Sequence, residues 1–150
     1  HGELAGLVFQ QEMEKMAWVA GGKTQAAPAQ RMVDFAEGKF SNTLNDCSYI
    51  PGINSAPLHD LLPSIIGDRL QKGFKAFGRK MNGYYTNEAN ILGVESRTSS
   101  PIRIPRDAEN LNHPQIINLY PCGEGAGYAG GIVSAAIDGE RCAEAIKNMI

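Results

Sequence analysis

The sequence predicts an α+β fold: a helical half, then short strands, then a closing strand–glycine loop–helix unit. Three observations predict it. Apolar residues recur at steps of three and four over residues 5–20 and 62–81, which is helical spacing. Beyond residue 86 the runs shorten and alternate, which is strand spacing. Five of the 17 glycines then fall between residues 123 and 131, ahead of a last helical stripe.

Taken in order, residues 3–20 read as a helix with Ala5, Phe9, Met13, Met16, Ala17 and Ala20 on one stripe. Gly21 and Gly22 end it, since glycine takes a left-handed cap at little cost. A second helix is predicted over 28–37, with Pro28 in its first turn and Gly38 closing it. Residues 39–57 are rich in Asn, Pro and Gly and predict loop, with a short extended stretch at 47–50. Residues 63–81 carry the longest stripe of this half, Leu62, Ile66, Leu70, Phe74, Phe77 and Met81. Its lysines and arginines read as a solvated face.

The alternating runs 90–97 and 100–104 predict strands or a hairpin turning near Ser99 and Ser100. The apolar run 116–120 predicts a buried strand ended by Pro121, and 129–149 a last helix with Ile132, Ala136, Gly139, Ala143, Ile146 and Ile150 on its stripe. The expected division is 1–85, mostly helical, and 86–150, the closing strands and helix.

Composition excludes several functions. With 150 residues, 43% of them hydrophobic, the chain can build one ordinary core. A formal net charge of -2, from 14 Lys+Arg and 16 Asp+Glu, argues against a nucleic-acid surface or a polybasic membrane patch. No apolar run approaches the ~20 residues of a membrane span. Cys47, Cys122 and Cys142 make neither a disulfide framework nor a zinc site and predict a reducing, cytoplasmic setting. His1, His59 and His113 lack metal-ligand spacing, so no metal is expected. The first residue is His1 rather than methionine, and the chain is expected to be a piece of a longer protein.

The chemistry concentrates in Cys122–Gly–Glu–Gly–Ala–Gly–Tyr–Ala–Gly–Gly131. A loop between a strand and a helix offers free N–H groups and the positive end of the helix dipole. Glycines let a phosphate, carboxylate or flavin ring approach the backbone. Gly125, Gly127 and Gly130 even spell G-x-G-x-x-G. A primary dinucleotide fingerprint also needs a second strand and an acidic residue about 20 positions on, and the chain supplies neither. The alternative is that the glycines serve helix–sheet packing.

Among other candidates, His59 beside Asp60 reads as a helix-end or surface pair, because adjacent helical residues do not face each other. The cysteines read as small buried residues. Arg97, Arg103 and Arg106 lie close in sequence; Arg97 and Arg103 on one strand face would bind a carboxylate or phosphate, and a solvated hairpin is the equal alternative. Phe9 and Trp18 read as packing residues.

Residues 119–139, Leu–Tyr–Pro–Cys–Gly–Glu–Gly–Ala–Gly–Tyr–Ala–Gly–Gly–Ile–Val–Ser–Ala–Ala–Ile–Asp–Gly, resemble the C-terminal end of bacterial FAD-dependent dehydrogenases, the NAD(FAD)-utilising dehydrogenase family. So do Glu95–Ser–Arg–Thr–Ser–Ser–Pro–Ile–Arg–Ile–Pro–Arg–Asp107, the opening Gly2–Glu–Leu–Ala–Gly–Leu–Val–Phe–Gln10, and Ala27–Pro–Ala–Gln–Arg31. His59–Asp–Leu–Leu–Pro63 and Ala76–Phe–Gly–Arg–Lys80 fit as well. The resemblance implies part of a larger α/β FAD-binding fold, with 1–85 in an inserted substrate-side domain and 86–150 closing the FAD domain. It implies FAD as cofactor, with NAD(P) a possible second one, and a small-molecule substrate.

The resemblance also implies site residues. Gly123 and Glu124 match the Gly–acid pair that holds a ribityl hydroxyl, although aspartate is commoner there. Gly125, Gly127, Tyr128, Ala129, Gly130 and Gly131 would face the pyrimidine edge of the flavin, and Arg97, Thr98, Ser99 and Ser100 would approach the ring. The FAD fingerprint would lie in an upstream segment, the chain's expected partner. Separated from it, the chain is expected to be inactive, to bind FAD poorly and to self-associate. A non-catalytic ligand-binding module and an enzyme binding a nucleotide phosphate on the same loop are the alternatives.

Overall fold

The centre of the sheet is a strand where the sequence pattern reads as helix. The computed structural model describes residues 1–97 and 99–149; Thr98 and Ile150 lie outside the described residues. Ala27–Arg31 form β1, flanked by β2 (Ile53–Ser55) in parallel and β3 (Asn90–Leu92) antiparallel, in the order β2-β1-β3. Ala27 sits opposite Ile53, and Ala29 opposite Leu92. Pro28 is tolerated in this middle strand because β3 has ended before it. Its missing N–H meets no β3 residue, and its carbonyl still accepts from Gly93 N–H at 2.9 Å.

The predicted helix over 28–37 is thus a strand followed by α2 (Met32–Glu37). The helical half of that prediction survives because tertiary groups complete the short helix. Asn87 Oδ1 accepts from the N–H groups of Val33 at 2.9 Å and Asp34 at 3.2 Å. Gly38, in the left-handed region, closes the other end. The extended stretch expected at 47–50 is absent, and the strand lies at β2 instead. The turn-rich residues before β2 are connection, and β1 needs a partner only where its own backbone runs beside it.

Contacts divide the chain into two compact units, residues 12–94 and residues 1–11 with the described residues from 95 onward. In the first, Phe35 and Leu58 are the largest side chains wholly removed from water. Phe35 meets Phe74 of α4 (Ser64–Lys80) edge to face at 5.9 Å, and Phe74 stacks on Tyr84. Only part of the predicted α4 stripe is covered: Leu70, Phe77 and Met81 stay exposed. The covered face passes through Gly67 and Gly78. At Gly78 the ring-bearing carbon of Tyr85 packs where any Cβ would sit. The short helix α3 (Leu58–Leu61), unmarked in the sequence, follows β2 directly.

α1 (Ala5–Ala20) forms as predicted, preceded by a single 3-10 turn at Gly2–Leu4. Of its stripe, Ala17 is buried, whereas Phe9 remains exposed.

The second unit differs more from expectation. Residues 100–104 form no strand, and β3 pairs with β1 rather than in a hairpin; Pro101 and Pro105 deprive that segment of ladder donors. The predicted buried strand at 116–120 is a tight turn with Ile117 exposed. His113 Nδ1 accepts from the N–H groups of Gln115 and Ile116, both at 3.1 Å, and His113 N–H bonds Leu119 O, so local bonds take the groups a strand needs. The last helix, α5 (Ile132–Lys147), starts three residues later than predicted, because Ala129, Gly130 and Gly131 stay in the loop. Its buried residues are Asp138 and Cys142, not the apolar stripe; Ile132 is 93% exposed.

Among the described residues, no helix is long and apolar enough to cross a membrane, and no group of three His, Cys, Asp or Glu side chains is placed to hold a metal ion.

Truncating Phe35 to Ala should lower stability by about 3–5 kcal/mol, the range for a fully enclosed ring. Phe77→Ala, which gives up mainly its edge contact with Tyr84, should lower it by about 1 kcal/mol. Urea midpoints of the two variants check the difference.

Candidate functional site

The glycine loop is organised by a charged pair that the sequence pattern does not reveal. Arg106 reaches Asp138 of α5 with both terminal nitrogens, Nη2 to Oδ1 at 2.6 Å and Nη1 to Oδ2 at 2.9 Å. Their side chains are 11% and 9% exposed. Nη1 also donates to Pro121 O at 2.9 Å, and Asp138 Oδ2 accepts from Gly123 N–H at 2.8 Å. One fork-to-fork pair therefore fixes three segments: the strap around 106, the start of the loop, and the inner face of α5.

The hydrogen bonds from Arg106 hold the Asp138 carboxyl below its ordinary value; burial opposes this and Gly123 N–H assists. The Asp138 carboxylate in turn raises the Arg106 guanidinium further, against the effect of burial.

Behind this anchor, the loop folds on itself. Gly123, at φ +70°, accepts from Tyr128 N–H through its carbonyl at 3.0 Å, and Gly127 N–H bonds Glu124 O at 2.9 Å. Gly127 has φ +82°, and a Cβ there would stand 2.6 Å from Ile102 O. That glycine is a packing requirement. The strap also bonds the loop directly, Ile104 N–H to Ala126 O at 3.1 Å. Tyr128 donates its hydroxyl to Ile104 O at 2.8 Å, and its ring lies under the guanidinium groups of Arg106 (3.6 Å) and Arg103 (4.2 Å). Beside it opens a cleft of about 580 Å³, lined by Arg103, Pro105, Arg106, Asp107, Leu111 and Tyr128, with Ala108.

The predicted residues therefore separate. Gly123, Gly127 and Tyr128 are committed to bonds and packing within the protein. Glu124, Gly125, Gly130 and Gly131 are exposed, and nothing stands within 4 Å of where a Cβ on Gly125 would be. Ala129 is half-buried. Arg97 and Ser99 are exposed, and Ser100 Oγ donates to Ile102 O at 2.8 Å. Thr98 lies outside the described residues. The strap residues that meet the loop are 102–106, beyond the predicted 97–100. At the head of α5, Ser134 Oγ accepts from Gly131 N–H at 3.1 Å. Ile132 and Val133 are 93% and 71% exposed, and their N–H groups lie in the first helical turn, which has no partners inside the helix.

The exposed half of the loop fits a flavin. First-turn N–H donors suit ring carbonyls, the Glu124 carboxylate suits a sugar-like hydroxyl, and the open face at Gly125 leaves room for close approach.

Two other candidates changed. His59 does meet Asp60, Nε2 to Oδ2 at 3.4 Å, because the ring is held from behind. Gln30 Nε2 donates to His59 Nδ1 at 2.7 Å, placing the ring proton on Nε2. Cys122 is exposed rather than buried, whereas Cys142 is buried.

Replacing Asp138 with Asn at neutral pH should cost about 3–5 kcal/mol, since Arg106 is left buried without its counter-charge. Asp138 has a depressed value in the folded state, so its contribution is present above the ordinary carboxylate range and is lost as pH falls through the depressed value. Denaturation curves should show the gap between wild type and Asp138→Asn narrowing below about pH 4.

A family model described as "FAD-dependent protein, C-terminal domain-like" matches residues 1–98. The chain is also similar to an "Uncharacterized protein" of Clostridium beijerinckii, 40% identical over 145 residues, which are 95% of this chain and 27% of that protein. The chain thus spans about a quarter of the length of that relative. The family match covers well over half of the 150 residues, and the chain belongs to the FAD-dependent protein C-terminal domain-like family.

Proposed function

We propose that the chain is the C-terminal portion of a cytoplasmic FAD-dependent oxidoreductase, a dehydrogenase acting on a small-molecule substrate, and that it supplies one wall of the flavin site. The observation that carries this reading is the outward half of an anchored glycine loop leading straight into the open first turn of α5, in a chain of an FAD-dependent family. Bound FAD supplies two-electron redox chemistry there. Glu124 would hold a ribityl hydroxyl, and the N–H groups of Ile132 and Val133 would lie along the pyrimidine edge. The α5 dipole, about half a positive charge, would favour negative charge at that edge.

In this reading residues 1–85 belong to the substrate side and 86–150 close the FAD domain. The outward face of α5, Ile132, Val133 and Ile137, and the exposed Ile116 and Ile117 offer apolar surface to the upstream segment that carries the FAD fingerprint. The same surface would drive self-association of the separated chain. NAD(P) is left out, because Gly127, the middle glycine of the G-x-G-x-x-G spacing, is spent on packing against Ile102.

That packing role favours a second reading, a non-catalytic module in which the loop serves structure or another ligand. The absorption spectrum of the protein purified from its complete reading frame separates the two. A band near ~450 nm that bleaches on reduction is the expected result for the flavoenzyme. A colourless protein that stays so after incubation with FAD would leave the second reading. The 150-residue chain alone should bind FAD no better than micromolar. In the complete protein, Glu124→Gln should weaken FAD binding by about 10- to 100-fold, the weight of a hydrogen bond to a charged group. Equilibrium titration of flavin fluorescence reads it.

A further inference from the structure

The anchor that shapes the loop also brings together two thiols that the flavin reading does not use. Cys122 lies between two peptide groups held by the Arg106–Asp138 pair: Pro121 O accepts from Arg106 Nη1 at 2.9 Å, and Gly123 N–H donates to Asp138 Oδ2 at 2.8 Å. Cys142 stands one turn beyond Asp138 on the same buried face of α5. The same Arg106 Nη1 approaches its sulfur at 3.5 Å. Both cysteines thus lie beside the same Arg106 Nη1, Cys142 through its sulfur and Cys122 through the neighbouring Pro121 carbonyl. Cys122 is open to solvent and Cys142 is enclosed. An exposed sulfur that meets the oxidant, with an enclosed one held at the same ion pair, is the arrangement of a peroxidatic and a resolving thiol.

We propose that Cys122 and Cys142 are a redox-active pair that closes reversibly to a disulfide between the glycine loop and α5 when a hydroperoxide reaches Cys122. The chemistry balances in two displacements. The Cys122 thiolate attacks the terminal peroxide oxygen; an S–O bond forms, the O–O bond breaks, and the departing alkoxide or hydroxide takes a proton. Cys122 is then a sulfenic acid. Cys142, giving up its proton, attacks the Cys122 sulfur; the S–S bond forms, the S–O bond breaks, and the hydroxide leaves as water. Two electrons pass from the two sulfurs to the peroxide. Burial pushes the Cys142 thiol up and the nearby Arg106 guanidinium opposes it, so the positive charge assists the second step at the sulfur that needs it. The disulfide would tie the first residue of the loop covalently to the helix whose N-terminus the loop leads into.

The test uses the protein from its complete reading frame carrying Cys47→Ser, treated with hydrogen peroxide, blocked with N-ethylmaleimide and mapped by peptide mass spectrometry. The expected result is a linked peptide pair containing Cys122 and Cys142, lighter by two hydrogens than the separate peptides, and restored to two free thiols by dithiothreitol. With Cys142→Ser, Cys122 should be trapped by dimedone as the sulfenic acid and should over-oxidise faster than in its parent. Maleimide on both cysteines after peroxide, or Cys122 driven to sulfinic acid in the parent protein while Cys142 remains a thiol, would overturn the proposal. The linkage is read by mass, so a protein without a flavin band can still form it, and one with the band can fail to.

Discussion

A bidentate ion pair withdrawn from water carries a constraint that a surface pair does not. Each charge is stable only while the other, and enough further hydrogen-bond partners, stay in place. Arg106 and Asp138 meet that demand by recruiting the backbone: Pro121 O takes the remaining Nη1 bond, and Gly123 N–H takes the remaining lone pair on Oδ2. The start of the glycine loop is therefore part of the solvation shell of the pair. Tyr128 completes that shell, its ring over the guanidinium and its hydroxyl on Ile104 O. With the loop's near half consumed in this way, Glu124, Gly125, Gly130 and the first turn of α5 are left facing outward. The same geometry decides where chemistry is available and which two cysteines flank the pair.

The unit of residues 12–94 solves a different problem, that of stabilising strands of three to five residues. Short strands bury little on their own. Here the central strand carries Gln30, wholly buried, whose side chain bonds Lys39 O and the His59 ring. Beside it Asp34, Ser41 and Asn87 form a second polar cluster, with Ser41 Oγ on Asp34 Oδ2 at 2.7 Å and Asn87 Nδ2 on Asp34 Oδ1 at 3.1 Å. These clusters order a loop that has almost no regular structure between α2 and β2. The Phe35–Phe74–Tyr84 stack supplies the apolar counterpart.

The sequence was legible where periodicity is long. The helices at 5–20 and 64–80 are recovered within a residue or two, because sixteen or seventeen residues give a stripe time to declare itself. It was not legible at Ala27–Arg31, where Pro28 at a helix start and Pro28 beyond the end of a neighbouring strand look alike. Ile116 to Tyr120 has strand composition, yet a histidine three residues earlier takes its first N–H. On α5 the apolar stripe at Ile132, Ala136 and Ile146 pointed to the wrong face: this unit buries Asp138 and Cys142 instead. An aspartate four residues before a cysteine was the one available signal, and nothing in linear order links it to an arginine 32 residues away.

By itself the sequence determined the α+β class, the two helices at 5–20 and 64–80, and the place of the glycine loop ahead of a helix. These depend on local spacing and on composition, both written along the chain. Only the tertiary structure decided which glycines are packing and which are open, which helix face is inner, and which two cysteines lie at one ion pair. Gly123, Gly125 and Gly127 are indistinguishable as letters. They differ because Asp138 approaches the first, nothing approaches the second, and Ile102 crosses the third. Such contacts between residues far apart in sequence leave no period in it, so only the folded chain assigns them.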